Sequence, residues 1–224
     1  MSTVSLNAPA AVLFDLDGTL VDTAIDFYPV VNSLRAEIGK APLPDARIRE
    51  QVSNGGVALA TITYDVTRDD PDIQNYRQRV LDRYEEIVGE QAILFEGYSA
   101  LLEHLDQRGI PWGIVTNKPR KYTELLLSHM PLPCDYVVCP EDVTHNKPAP
   151  DSLLLCAEQM QVVAEQCWYV GDHVRDIQAA KAANMRSIAV RFGYLEAQDD
   201  PALWGADHLI DTVHDLLDLL GGKS

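Results

Sequence analysis

The stretch Ala11-Val12-Leu13-Phe14-Asp15-Leu16-Asp17-Gly18-Thr19-Leu20 decides how the rest of the chain is interpreted. It begins as an apolar run of strand length and ends in two aspartates, followed by Gly-Thr. Residues two apart on a strand point to the same side, so Asp15 and Asp17 can converge beyond the strand end. Converging carboxylates repel each other unless a cation or a shared proton intervenes. The segment predicts a divalent-metal site, an acid–base pair or both, with an acidic turn as the simpler alternative.

Short apolar runs alternate with amphipathic segments through most of the chain. The predicted strands are Ala10–Phe14, Trp112–Thr116, Tyr136–Cys139, Cys167–Val170, Ser187–Val190 and His208–Ile210. The predicted helices that follow them are Tyr98–Gln107, Tyr122–His129, Ser152–Met160, Ile177–Ala183 and Val213–Leu220. This alternation indicates right-handed βαβ units, and almost entirely apolar strands are typical of a sheet buried on both faces. We therefore predict an α/β fold, with a Rossmann-like parallel sheet core flanked by helices.

The segment from about residue 22 to residue 95 interrupts this alternation. It contains no convincing buried strand, and its pattern predicts helices at Thr23–Ile38, Asp45–Val52, Val57–Val66 and Pro71–Val88. An all-helical subdomain inserted after the first strand would lie over the carboxyl end of the sheet, where open α/β folds bind ligands. The predicted organisation is a core domain of residues 1–21 and 96–224 with a helical cap domain of residues 22–95.

The composition narrows the possible partners and compartment. Lys and Arg number 18 against 34 Asp and Glu, which gives a net charge of -16. Such a surface repels phosphate backbones, so we expect no nucleic-acid partner. No apolar run reaches the roughly 20 residues that cross a bilayer, and Met1–Pro9 lacks a targeting pattern. We expect a cytoplasmic protein without a membrane partner; the sequence does not reveal the oligomeric state.

Three further features follow predicted strands. Thr116 and Asn117 offer a hydroxyl and backbone N–H groups that suit a phosphate oxygen, although both residues also serve as ordinary helix N-caps. Lys147 precedes a proline, a position where a solvated loop lysine is the simpler interpretation. Asp172 and Asp176 are four apart at a predicted helix start, so they can share one face. Acidic residues there also favour the helix dipole without any further role.

Together these features resemble the motif set of the haloacid dehalogenase (HAD) superfamily: D-x-D-G-T, a Thr or Ser, a lysine, and G-D-x-x-x-D. The resemblance covers essentially the whole chain, and the helical insert is similar to the superfamily's C1 cap. It implies a phosphatase that works with Mg²⁺ through an aspartyl-phosphate. True dehalogenases lack a carboxylate at the position of Asp17, so its presence favours phosphoryl chemistry. A sugar-phosphate mutase shares the same residues and stays an alternative, as does a binding module without catalysis.

The resemblance also implies a role for each motif residue. Asp15 would be the nucleophile, and Asp17 the general acid and then the base that activates water. The metal ligands would be Asp15, Asp172 and the backbone carbonyl of Asp17, because hard oxygen ligands suit Mg²⁺. Asp176 would not bind the metal directly but would orient Lys147 or a water molecule bound to the metal.

The remaining candidate residues would bind the substrate. Thr116 and the N–H groups near Leu16 and Asn117 would hold phosphate oxygens, and Lys147 would neutralise charge beside them. Lys118 would lie next to the site, with a solvated basic turn as the alternative. The loop that contains Asn54 and Gly55 opens a predicted helix, so its amides could bind a carboxylate or hydroxyl, or it could be an ordinary turn. The residues predicted to bind the substrate are therefore Leu16, Asn54, Gly55, Asn117 and Lys118.

The sequence leaves two candidate substrates. The general resemblance points to 2-phosphoglycolate. The run Val190-Arg191-Phe192-Gly193-Tyr194, with Trp204-Gly205-Ala206-Asp207, is similar to the N-acetylmuramic acid 6-phosphate phosphatases of bacterial cell-wall recycling. Both compounds combine a phosphate with a carboxylate, so one cationic or N–H-rich pocket suits either. We expect a small-molecule phosphomonoester as the partner, with the sugar phosphate as first choice and 2-phosphoglycolate as the alternative.

Overall fold

The computed structural model describes residues 8–130 and 132–221. The ends of the predicted core-domain ranges 1–21 and 96–224, and most of Met1–Pro9, lie outside the described residues. In chain order the strands are β1 (Ala11–Phe14), β2 (Val21–Asp22), β3 (Ile93–Leu94), β4 (Trp112–Val115), β5 (Val137–Val138), β6 (Cys167–Gly171), β7 (Arg186–Val190) and β8 (His208–Ile210). The helices are α1 (Ala24–Glu37), α2 (Asp45–Val52), α3 (Gly55–Tyr64), α4 (Ile73–Glu85), α5 (Tyr98–Gln107), α6 (Arg120–His129), α7 (Asp151–Gln159), α8 (Val174–Ala182) and α9 (Val213–Leu219).

The main sheet has six strands in the order β5-β4-β1-β6-β7-β8, and every neighbouring pair is parallel. This confirms the predicted α/β class with a Rossmann-like sheet. Strand β1 lies in the middle, where Phe14 is opposite Ile114 of β4 and Val170 of β6. Because the three strands end at the same level, the residues that follow them emerge side by side.

The alternation of β1 divides the core into two layers. Val12 and Phe14 pack in the cluster that holds the buried apolar residues of α5 and α9 and most of the buried apolar residues of the segment 22–95. Ala11 and Leu13 pack in the opposite cluster, against α7 and α8. All four side chains are fully buried, which is why this strand reads as a continuous apolar run rather than an alternating one.

The start of α8 differs from the prediction in a way that affects the site. The helix begins at Val174 rather than Ile177, because His173 caps it. The ring of His173 accepts the N–H of Arg175 at 3.2 Å, and the carboxylate of Asp176 accepts the N–H of His173 at 3.1 Å. This reciprocal capping fixes the Asp176 side chain over the beginning of the helix.

The helices α1 to α4 lie between β2 and β3 in chain order, as the predicted helical insert requires. The two short strands pair antiparallel, so the chain leaves and re-enters this region at one place. They were not predicted, since each has two residues and Ile93 is 56% exposed. We call residues 22–95 the cap; its division from the core as a separate domain stays a prediction.

Asp26 fastens the beginning of α1 to the returning end of the cap. Its buried carboxylate accepts the N–H groups of Gly89, Gln91 and Ala92 at 2.8, 2.9 and 3.2 Å. Burial raises the pKa of Asp26, and the three backbone bonds oppose that rise. In the described part of the chain, no helix is long and apolar enough to cross a membrane.

Candidate active site

The ends of β1 and β6 bring the first and last motifs into contact. The N–H of Asp15 donates to the carbonyl of Val170 at 2.9 Å, which places Asp15 beside the strand that leads to Asp172. Gly18 has φ of +81° and an added Cβ would lie 2.1 Å from Oδ2 of Asp172. A side chain at position 18 is therefore excluded by both backbone conformation and space, which explains the glycine of the D-x-D-G-T motif.

Three buried carboxylates meet at this edge of the sheet. Asp15, Asp172 and Asp176 each offer an oxygen within 4.8 Å of the others. The ammonium of Lys147 lies 2.8 Å from both Asp15 Oδ1 and Asp176 Oδ1. Among the described residues, no cation forms an ion pair with Asp172. Three carboxylates against one ammonium leave two negative charges, and an all-oxygen donor set with that charge fits a hard divalent cation.

The protonation of the cluster reflects its burial. Desolvation raises the pKa of Asp172 to about 8, with the neighbouring charges of Asp15 and Asp176 adding to the rise. Desolvation also raises the pKa of Asp15 to about 6, although Lys147 opposes it. Burial disfavours the charge on Lys147, but the two carboxylates outweigh it and raise the pKa of the ammonium. Without a metal the cluster therefore holds extra protons, and a bound divalent cation would displace them.

Lys147 is held in the core rather than solvated. It is 4% exposed, so the solvated-loop alternative for this residue is wrong. Its ammonium also donates to the carbonyl of Val115 at 3.0 Å and to the hydroxyl of Tyr169 at 2.8 Å. The side chain of Asn117 donates to the Lys147 carbonyl at 3.0 Å. Tyr169 was not singled out in the sequence, because a tyrosine in an apolar strand is typical of the core.

Asp17 takes a different direction from Asp15. Its Oδ1 lies 2.9 Å from the ammonium of Lys118 and accepts the hydroxyl of Thr23. It does not belong to the three-carboxylate cluster. Asp15 and Asp17 nevertheless line the same cleft, together with Lys118. Attraction to Asp17 outweighs burial and raises the pKa of Lys118, so this lysine stays charged.

The predicted phosphate-binding residues differ in their position and in their hydrogen bonds. Thr116 and Asn117 line the cleft, and the Thr116 hydroxyl oxygen accepts the N–H of Lys118 at 3.0 Å. Leu16 is buried, and its N–H donates to Oδ1 of Asp15 at 2.8 Å. In this structure the Leu16 amide therefore orients the Asp15 carboxylate.

The opposite wall of the cleft is aromatic and apolar. Phe27 of α1 stacks on Tyr84 of α4 with ring centroids 4.1 Å apart, and Tyr122 of α6 packs against Tyr84 at 5.7 Å. All three residues line the cleft. The Lys118 ammonium lies 4.8 Å from the centre of the Tyr84 ring, a cation–π contact. The Tyr84 hydroxyl is buried and has no hydrogen-bond partner among the described residues.

The loop before α3 reaches the cleft, but not in the predicted way. Ser53, Gly55 and Gly56 line the cleft, whereas Asn54 does not. The Asn54 amide instead donates to Oε1 of Glu196 at 2.6 Å, which ties the cap to the core. The prediction that Asn54 contacts the substrate is therefore not matched by its position, while Gly55 lies where it was expected.

Arg175 also lines the cleft and was missed in the sequence. Its guanidinium donates to the carbonyl of Ser53, so it spans from the core to the cap loop. It occupies a variable position of the G-D-x-x-x-D motif, and a motif carries no signal at its variable positions.

Comparison with known proteins agrees with this geometry. A family model described as haloacid dehalogenase-like hydrolase matches residues 12–190. An N-acetylmuramic acid 6-phosphate phosphatase of Pseudomonas aeruginosa is 37% identical over 94% of this chain and 94% of its own length. A phosphoglycolate phosphatase of Xanthomonas campestris is 40% identical over 91% of this chain and 92% of its own length.

Among solved structures, a predicted phosphoglycolate phosphatase from Haemophilus somnus superposes with a TM-score of 0.80. The alignment covers 94% of this chain and 97% of that protein, at 22% sequence identity, and so concerns the fold alone. The family match spans most of the chain and includes all four motifs that meet at the end of the sheet. The chain is a hydrolase that belongs to the haloacid dehalogenase-like family.

Proposed function

We propose that this protein is an Mg²⁺-dependent phosphatase in which Asp15 accepts the phosphoryl group of a small phosphomonoester. One observation carries the proposal: a carboxylate that lines a cleft, 2.8 Å from a buried ammonium and within a cluster in which three carboxylates face that one cation. The Leu16 amide and the Lys147 ammonium both bind Oδ1 of Asp15, which leaves Oδ2 for attack on phosphorus.

Asp17 is the proposed acid and base of the reaction. It lines the cleft apart from the three-carboxylate cluster, and in that position it would protonate the oxygen of the leaving group. In the first step Asp15 forms a bond to phosphorus while Asp17 gives a proton to the departing alcohol. In the second step Asp17 removes a proton from water, which attacks phosphorus and frees Asp15. Two coupled carboxylates in different surroundings can divide the work in this way.

Hydrolases of this family generally use Mg²⁺, and the donor set described above fits that ion. Asp15, Asp172 and the backbone carbonyl of Asp17 are the proposed ligands. When bound, Mg²⁺ neutralises charge on the phosphoryl oxygens and holds the group in line for transfer. Asp176 holds Lys147 at 2.8 Å and so fixes the ammonium next to Asp15.

The proposed phosphate contacts come from the loop after β4 and from the cap. Thr116 and Asn117 line the cleft; the Thr116 hydroxyl and the Asn117 N–H would bind phosphoryl oxygens, and Lys147 would neutralise them. The amides of Gly55 and Gly56, at the start of α3, are proposed to bind a polar group of the leaving alcohol.

For the substrate we favour N-acetylmuramic acid 6-phosphate over 2-phosphoglycolate. The aromatic wall of Phe27, Tyr84 and Tyr122 suits the apolar face of a sugar or its acetyl group. The two carbons of phosphoglycolate would leave most of that wall without a contact. The relatives support both substrates, since one carries each name. The expectations that the chain is cytoplasmic and binds neither nucleic acid nor membrane stay predictions.

A direct competition between the two substrates tests the proposal. Phosphate release is measured from each compound with Mg²⁺ and with EDTA. We expect kcat/KM for the sugar phosphate to exceed that for phosphoglycolate by about tenfold or more, and EDTA to abolish both activities. The opposite order would establish phosphoglycolate as the substrate. Isomerisation of a sugar phosphate without phosphate release would identify a mutase, and no reaction with Mg²⁺ would overturn the proposal.

The role of Asp17 has its own test in Asp17→Asn. If Asp17 protonates the leaving oxygen, the variant should lose about 10²- to 10⁴-fold in rate on the sugar phosphate. The losses are compared for the first step alone, as the rate of the initial burst of alcohol release, because the second step needs Asp17 with either compound. In that burst the variant should lose much less on p-nitrophenyl phosphate, whose phenolate leaves without a proton. Equal losses on the two compounds would contradict the acid role.

A further inference from the structure

The basic side chains that line the cleft differ in whether they form ion pairs with carboxylates. Three basic side chains line it: Lys147, Lys118 and Arg175. Lys147 contacts Asp15 and Asp176, and Lys118 contacts Asp17. Arg175 forms no ion pair with any carboxylate in residues 8–130 and 132–221. In a chain with a net charge of -16, a cleft cation with no carboxylate at ion-pair distance within that described part is an unusual arrangement.

Arg175 bridges the carboxylate cluster and the cap, the side on which the leaving alcohol is proposed to lie. It is the second residue of α8, three positions after Asp172, so its backbone is fixed next to the carboxylate cluster. Its guanidinium extends to the cap, where it donates to the Ser53 carbonyl. It therefore lies between the point where phosphorus is attacked and the loop that would surround the alcohol.

The guanidinium retains most of its capacity to donate. Its only hydrogen bond among the described residues is the one to Ser53, and an arginine has five N–H donors in a planar fork. That fork matches the two oxygens of a carboxylate, and such charge-assisted pairs are both stronger and more directional than neutral ones. Lys118 could not take this role without giving up Asp17.

We propose that Arg175 binds the carboxylate of the substrate and thereby selects phosphomonoesters that carry a second, carboxylic, group. This inference rests on the proposed function, because it assumes hydrolysis at Asp15. It adds the residue that distinguishes an acidic from a neutral leaving group. Because the same guanidinium contacts Ser53, the bound carboxylate would also be tied to the cap loop.

Matched substrate pairs isolate the carboxylate. N-acetylmuramic acid 6-phosphate is compared with N-acetylglucosamine 6-phosphate, which lacks the lactyl acid, and 2-phosphoglycolate with ethyl phosphate. The quantity measured is the preference: kcat/KM for the acidic member divided by kcat/KM for the neutral one. Any general loss of activity cancels in this ratio, so a structural effect of the substitution does not imitate the expected result.

We expect Arg175→Gln to lower the preference by about 10- to 100-fold, the range expected for one charge-assisted hydrogen-bonded pair. Arg175→Lys keeps the charge but not the fork, so its preference should be intermediate; it supplies the same readout if the glutamine variant does not fold. Arg47→Gln is the control, because Arg47 is exposed on α2 and, among the residues that the structure describes, pairs only with Glu50. Its preference should equal that of the wild type.

The other outcomes separate this inference from the function beneath it. If the wild type prefers the acidic substrates and Arg175→Gln keeps that preference, the role of Arg175 is wrong and the phosphatase proposal stands. An equal loss on both members of a pair would mean that Arg175 acts through Asp172 or the cap loop. If the wild type hydrolyses acidic and neutral esters equally well, both the carboxylate-bearing substrate and the role of Arg175 are wrong.

Discussion

The two walls of the cleft differ in the chemistry of their side chains: one is charged and the other is aromatic. The wall at the end of the sheet is a group of buried charges, in which Asp15, Asp176 and Lys147 are joined at 2.8 Å. The other wall is aromatic, with rings from the cap and one from α6, and its central hydroxyl, on Tyr84, has no partner among the described residues. A buried polar group without a partner costs stability. This hydroxyl is therefore not explained by the stability of the fold.

This difference indicates a division of labour. The charged wall holds groups whose positions the reaction requires. Each carboxylate of its cluster is held at close range, Asp15 and Asp176 by the Lys147 ammonium and Asp172 by the N–H of Tyr194 at 2.8 Å. The aromatic wall provides surface, which can favour one leaving group over another without taking part in the chemistry. Substitutions on the charged wall should therefore affect all substrates, whereas substitutions on the cap side should change the preference among them.

The largest effect is expected for Asp15→Asn. Turnover should fall on the order of 10⁴-fold or more with every phosphomonoester, because the variant has no nucleophile. The fold should be retained, since asparagine has the same shape and still accepts the N–H of Leu16. Phosphate release and thermal unfolding measured on the same preparation check both parts. A variant with turnover near that of the wild type would contradict the division described here.

Lys147→Met should damage both activity and stability. It leaves Asp15 and Asp176 buried without their cation, and breaking such a pair costs about 3–5 kcal/mol. Urea unfolding without Mg²⁺ measures the loss. The matched control is Lys121→Met, whose exposed ion pair with Glu85 should contribute less than about 1 kcal/mol. Equal losses in the two variants would show that the buried cluster is not what Lys147 stabilises.

The response to Mg²⁺ should depend on pH. The pKa values of Asp15 and Asp172 are raised in the folded protein, to about 6 and about 8. A raised pKa means that the folded protein favours the protonated carboxyl groups. The stability that these protons give is complete below about pH 4, and it is lost as the pH rises through those two pKa values. Without metal, the free energy of unfolding should therefore fall over this range.

Mg²⁺ should reverse this loss, because it replaces the protons that the cluster otherwise holds. The rise in Tm on adding Mg²⁺ should be larger at about pH 8 than at about pH 5, where protons compete with the ion. Asp172→Asn, which removes one of the proposed ligands, should abolish most of the rise. A rise that is equal at the two pH values would contradict the assignment of the cluster as the metal site.

The smallest effect is expected for Tyr84→Phe. The Tyr84 hydroxyl is buried without a partner among the described residues, so its removal should not lower the free energy of unfolding and should raise it by about 1 kcal/mol at most. Tyr84→Ala loses the stack on Phe27 as well and should cost about 3–5 kcal/mol. A stability loss in Tyr84→Phe as large as in Tyr84→Ala would show that the hydroxyl has a structural partner.

The charged wall could be predicted because its residues follow strand ends. An apolar run marks each strand, and parallel strands place their carboxyl ends at one edge, so Asp15, Thr116 and Asp172 were expected together. The sequence did not reveal that Lys147 is buried. A lone lysine before proline looks solvated, and only the tertiary fold surrounds it with Val115, Tyr169 and the carboxylates.

The aromatic wall could not be predicted, for a physical reason. Phe27 and Tyr84 occupy apolar positions of helices, where a residue that faces a core and one that faces a cleft have the same pattern. Their roles depend on how the cap helices pack over the sheet, which no local sequence feature determines. Asn54 shows the same limit at finer scale, because one position in its loop separates a contact with Glu196 from a place in the cleft.

The transfer of the phosphoryl group to Asp15 is the central claim, and trapping the covalent state tests it most directly. The protein is mixed with substrate and Mg²⁺, quenched with acid within one turnover, digested, and analysed by mass spectrometry. We predict one phosphoryl group on the peptide that contains Asp15, lost on treatment with hydroxylamine and absent in Asp15→Asn. Rapid hydrolysis with no phosphorylated peptide, or a phosphoryl group on another residue, would contradict the account.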